Sequence, residues 1–204
     1  MVSGNGCYFA NLSIFHGFST GDVSQIALTV TGSRNTFANV NVFGMADAAS
    51  AADAASRSVK VGSAGSGENL FVGCVLGGDT VTRGAANATL ELAGATPRNS
   101  FVECLFQMDA SANSPFHVLG TGADCLDRWN EFNKCLFVND IKSGGTGLTA
   151  AMSLTNAAPG GLLLIKNSMT VGATKWGDTN ALANSYVDMP VVSAAAGGLG
   201  LNPS

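Results

Sequence analysis

The sequence predicts an all-β chain wound as a right-handed parallel β-helix of about six coils, followed by an extended C-terminal tail. Three observations predict it. An Asn-x-Phe-x-x-(Cys/Val)-x-apolar motif recurs without gaps, a second strand-like stretch follows each copy, and Gly, Ser, Asn and Asp cluster between the two. The four clear copies begin at Asn35, Asn69, Asn99 and Asn130, with Phe37, Phe71, Phe101 and Phe132 in the third place. Val40, Cys74, Cys104 and Cys135 hold the sixth. A weaker copy is read at Gly6, with Tyr8 and Asn11 in the aromatic and Cys places. Another is read at Leu162, with Leu164 and Asn167 there. Starts at 6, 35, 69, 99, 130 and 162 lie 29 to 34 residues apart, a length suited to one solenoid coil.

The second stretches are residues 26–30, 59–61, 90–92, 116–119 and 148–154. Leu28-Thr29-Val30 and Leu90-Glu91-Leu92 alternate, as strands with one buried face do. Coils stacked at about 4.8 Å turn equivalent positions into columns. The phenylalanines then form an aromatic stack in the core, and the cysteines fill a tight interior corner. The leading asparagines form a hydrogen-bonded ladder. Outside, Arg34, Glu68 and Arg98 alternate in charge, and Glu103 falls beside Lys134. Residues 46–56, rich in Ala, are read as a loop with a short helix projecting from the stack. The solenoid is assigned to 1–176 and the tail to 177–204, lying along the flank or against a neighbour.

Composition narrows the function. Only 12% of the 204 residues are charged and the net charge is −4, with Lys and Arg scattered singly, which argues against nucleic-acid binding. No apolar run approaches the roughly 20 residues of a membrane span. The first residues have neither a basic region nor an apolar core, so no signal peptide is read. All five cysteines (Cys7, Cys74, Cys104, Cys125 and Cys135) are accordingly expected as reduced thiols made in the cytoplasm.

One carboxylate constellation stands out. Asp79, Asp109 and Asp140 each fall eight residues after their Phe, so the register stacks them. Such a column either holds a cation, for which calcium is suited, or caps successive turns. Turn capping is the expectation, with no metal and no cofactor. Lys142 is the only base near it in sequence. His16 shares the Asp offset and His117 lies in a second stretch; both are expected as corner or surface residues. Trp129 and Trp176 are the aromatics available for an external contact. Gly4-Asn5-Gly6 and the 62–67 Gly/Ser run are turns, lacking the Lys and helix of a phosphate loop.

The repeat over roughly residues 4 to 175 resembles the right-handed parallel β-helices of the pectate-lyase-like superfamily. That superfamily includes lyases, polygalacturonases, adhesins and phage tailspikes, and similar Gly/Ala/Asn-rich coils occur in phage virion proteins. The run from Val187 to Pro203 looks like the ends of such phage proteins. The resemblance stops short of catalysis. Polygalacturonases carry Asn-Thr-Asp, Asp-Asp, Gly-His-Gly and Arg-x-Lys, whereas this chain has Asn35-Thr36-Phe37 and Phe15-His16-Gly17, and neither an acidic pair nor Arg-x-Lys. No catalytic residue is assigned. The resemblance implies a non-enzymatic virion structural protein, capsid-associated or decorating. It would be assembled in the host cytoplasm as a homo-oligomer, with a trimer favoured, among other capsid proteins. A carbohydrate-binding or polysaccharide-cleaving β-helix such as a tailspike fragment is the alternative, and an adhesin-like passenger a third.

Overall fold

The structure is a computed structural model. It describes residues 1–15, 24–62, 65–140, 145–154 and 161–177, with the backbone of 185–187, 191–192 and 199–200. The first coil contributes β1 (Tyr8–Ile14) and β2 (Ile26–Val30), and the second β3 (Thr36–Val42), a helix α1 (Ala48–Ala51) and β4 (Arg57–Gly62). The third holds β5 (Leu70–Val72), β6 (Val75–Gly77) and β7 (Ala88–Ala93); the fourth β8 (Asn99–Val102), β9 (Leu105–Met108) and β10 (Phe116–Thr121). The fifth holds β11 (Trp129–Asn133), β12 (Leu136–Asn139) and β13 (Met152–Ser153), after which β14 (Leu162–Lys166) and β15 (Met169–Val171) open a further coil. The chain is an all-β parallel solenoid of about five turns. Among the described residues no helix is long and apolar enough to cross a membrane.

Every coil pairs with the next in parallel. β2, β4, β7, β10 and β13 form one sheet in that order. The other wall runs β3–β5–β8–β11–β14 along one flank and β3–β6–β9–β12–β15 along the adjoining one, with β1 on β3. Between the flanks lies a column of left-handed residues: Asn11, Asn39, Gly73, Glu103, Lys134 and Asn167, with φ of 49° to 61°. Asn and Gly suit that conformation and Glu and Lys do not, so the bend is imposed by stacking. At Gly73 a side chain would also meet Asn39 Oδ1 at 2.7 Å. The tail adds β16 (Ser185–Val187) on β14, β17 (Val191–Val192) on β15, and β18 (Leu199–Gly200) antiparallel to β17.

The columns form as the motif requires. Phe37, Phe71, Phe101 and Phe132 pair in register and are 0–1% exposed. Their rings stack 4.5 to 4.9 Å apart, within 12° of parallel. Asn35 N–H donates to Asn69 Oδ1 at 3.0 Å, Asn69 N–H to Asn99 Oδ1 at 3.1 Å, and Asn99 N–H to Asn130 Oδ1 at 3.2 Å. Each Asn thereby fixes the entry of the coil before it. The ladder ends where the motif ends: Asn130 pairs with Leu163, and Asn130 Nδ2 has no partner.

Both terminal coils depart from the expected register by one residue. Phe9, not Tyr8, pairs with Phe37 and stacks on it at 5.1 Å, while Tyr8 is 70% exposed. Ile165, not Leu164, pairs with Phe132, which puts Ser168 rather than Asn167 in line with Cys135. A one-residue slip exchanges the two faces of a strand, so burial decides. Leu163 and Ile165 are fully buried, and Leu162 is exposed.

Helix α1 is present, capped by Asp47, whose carboxylate accepts from Ala49 N–H at 3.0 Å and Ser50 N–H at 3.2 Å. It does not project as expected. Ser50 and Ala51 are buried, and the Ala51 carbonyl accepts from Asn87 Nδ2 and Gly84 N–H of the next coil.

Candidate functional site

The sequence pointed to the stacked carboxylates, and the structure gives the three of them different surroundings. Asp79 follows β6 at the corner, and its side chain is fully buried. Its Oδ1 accepts from Arg83 Nη2 and Met45 N–H, both at 2.8 Å. Its Oδ2 accepts from Arg83 Nε at 2.7 Å and Asp109 N–H at 3.0 Å. Four donors fill the acceptor capacity of one carboxylate. Gly44 makes room for it, since a Cβ there would stand 2.1 Å from Oδ1. Asp79 thus clasps three consecutive coils, through Met45 below, Arg83 in its own and Asp109 above.

Asp109 is 7% exposed and Asp140 is exposed at the next corner. There the neutral Asn139 does the corresponding work. Its Oδ1 accepts from Ala110 N–H at 3.0 Å, and its Nδ2 donates to the Thr146 carbonyl at 2.9 Å. Among the described residues no three His, Cys, Asp or Glu side chains converge as metal ligands. Lys142 and His16 lie outside the described residues.

Arg83 is the residue that sequence reasoning missed. It is 0% exposed, donates from Nη2 to Ser58 Oγ at 3.2 Å, and leaves Nη1 without a partner. Its signal was its place four residues after Asp79 in a segment otherwise poor in charge. His117 is likewise not the corner or surface residue expected. It is wholly buried with neither ring nitrogen hydrogen-bonded, and its ring meets Phe137 edge-on at 5.7 Å. Burial, and then the positive charge of Arg83, push its pKa down to about 3. Trp176, considered for external contact, is 3% exposed and packs against Phe137 at 5.5 Å. Trp129 is half-buried.

The thiols are spent on stacking too. Cys74, Cys104 and Cys135 donate to the carbonyls of Phe37, Phe71 and Phe101, one coil back, at 3.3 to 3.5 Å. Ser168 continues the column by donating to the Phe132 carbonyl at 3.2 Å. The hydrogen bond with Cys135, then burial, push Cys104 up to about 12, and contact with Cys104 and burial raise Cys74. Such thiols stay protonated and are poor nucleophiles at neutral pH.

Outside, Glu68 sits between Arg34, at 2.5 Å, and Arg98. These three and Pro97 border a surface hollow of about 160 Å³. The geometry defines a class, a parallel β-solenoid whose buried polar groups bind coil to coil. No family model matches this chain, and no curated protein or solved structure matches it either.

Proposed function

We propose that this chain is a non-enzymatic structural protein of a phage virion, capsid-associated or decorating, that works as a homo-oligomer beside other virion proteins. The observation that carries the structural reading is the closure of Asp79. The carboxylate best placed to begin a cation or sugar site is saturated by Arg83 and two backbone amides. Acid–base cleavage of a glycosidic bond needs two carboxylates facing one sugar, and Asp79 is sealed while Asp140 faces water. The virion setting rests on the likeness of the coils and of the Ala/Gly-rich tail to phage structural proteins. Sparse charge supports a surface that is covered in an assembly.

The test is to purify particles from cells that encode the chain, band them on a density gradient and quantify the chain by mass spectrometry. The chain should co-band with the major capsid protein at a fixed copy ratio. Its confinement to the particle-free fraction would refute the reading. Incubation with polyuronates or host-surface polysaccharide should yield no new reducing or unsaturated ends, and their appearance would favour the carbohydrate-active alternative.

A further inference from the structure

The outer surface of the solenoid is uneven in charge. On the sheet of β4 and β7, the buried Glu91 pairs with the buried Arg57 and with the partly exposed Lys60. The flank of β11 and β14 carries Glu131 and Lys166, 3.2 Å apart. The flank of β6, β9, β12 and β15 differs. Its in-facing residues Leu76, Phe106, Phe137 and Thr170 are fully buried, so strand alternation turns Val75, Leu105, Leu136 and Met169 outward. These four are in register, partly exposed, and one rung apart. Val138 and Val171 stand beside them and are also partly exposed. Among the described outward positions of these strands, Gln107 is the sole polar side chain. A contiguous apolar face of this kind marks an interaction site.

Its rim says what covers it. Glu103 and Lys134, on adjacent coils at the left-handed bend, have side chains 57% and 60% exposed and 3.2 Å apart. We propose that this flank is where two copies of the chain pack face to face, about a twofold axis that runs parallel to the strands midway between Leu105 and Leu136. That operation reverses the order of coils and keeps the rim on the same side. Glu103 then faces the partner's Lys134, Leu105 faces the partner's Leu136, and Val75 faces the partner's Met169. The column is self-complementary in both shape and charge, as an isologous contact requires. Two sheets pack in this way about 10 Å apart, a gap these side chains fill. The proposal rests on the homo-oligomer reading above and names its surface.

Sedimentation equilibrium of the full chain, run over a concentration series, tests it. The wild type should form a dimer. Leu105→Lys and Leu136→Lys, at outward positions, should keep the melting temperature and sediment as monomers. Glu103→Lys should weaken the dimer at least about tenfold, since it sets Lys against Lys. The combined Glu103→Lys/Lys134→Glu should restore it. A trimer or other oligomer indifferent to these changes overturns the face but leaves the assembly reading standing, as does a dimer that ignores them. A monomer at every concentration overturns both.

Discussion

At the scale of single residues, the chain uses side chains that elsewhere do chemistry as spacers and ties between coils. Phe101 is sandwiched between Phe71 and Phe132 at 4.9 Å on either side and is 0% exposed. Phe101→Ala should cost about 3–5 kcal/mol in denaturant unfolding, as for a buried aromatic. Asn99 takes two hydrogen bonds from Asn69 and gives its own amide to Asn130 and to the Thr96 carbonyl. Asn99→Ala should cost about 1–3 kcal/mol by leaving those buried groups unbonded. A loss under about 0.5 kcal/mol at either position would show that the columns do not bear on stability. The thiols give a faster check. Cys7 is part-buried and the other four are buried. A disulfide reagent at neutral pH should therefore modify Cys7 alone, and all five after denaturation. Rapid native labelling of Cys104 would contradict its closed position in the column.

At the scale of elements, what the sequence disclosed depended on how strictly the motif was kept. Where Asn, Phe and Cys all recur, pairing follows the expected register residue for residue. In the terminal coils Asn is replaced, by Cys7 and by Leu163, and spacing alone could not separate Tyr8 from Phe9. The distinction is physical: the phenol needs water or a partner and the benzyl ring does not. In the run Leu162-Leu163-Leu164-Ile165 no alternation of residue type exists to be read, although burial alternates. The Asp column was legible as a column but not as a clasp, because pattern shows neither Arg83 folding back nor the amides of Met45 and Asp109 arriving. That clasp predicts an asymmetry. Asp79→Ala should cost about 3–5 kcal/mol by stranding the Arg83 guanidinium in the core. Asp79→Asn combined with Arg83→Met should cost less than Asp79→Ala alone, because no buried charge remains. Equal losses would mean that the ion pair is not the element that ties the coils.

At the scale of the whole molecule, the buried imidazole gives the solenoid an acid limit. His117 titrates near its ordinary value of about 6.5 when unfolded and near 3 when folded. Between those values the unfolded chain holds a proton that the folded chain refuses, so stability rises with pH across that window. It is lost on acidification from about pH 6.5, by up to about 1.4 kcal/mol per pH unit, and is unaffected by this group above. Arg83 opposes protonation further, being the charge whose field reaches the ring. His117→Phe should flatten the slope of unfolding free energy between pH 6 and 4, whatever its effect at pH 8. An unchanged slope would mean that the imidazole is already bonded or hydrated.

All of these effects depend on coils stacked in one register, and one distance tests that directly. Thr36 and Leu164 occupy the same outward column, linked rung by rung through Leu70, Ser100 and Glu131. Four rungs of about 4.8 Å place their Cα atoms roughly 19 Å apart. Spin labels on Thr36→Cys and Leu164→Cys, with Cys7→Ser, allow that distance to be measured by pulsed electron resonance. The stacked register predicts a narrow distribution near 20 Å, widened only by the labels. A broad distribution reaching toward the roughly 60 Å of a flexible segment of that length, or a narrow peak well away from 20 Å, would contradict it.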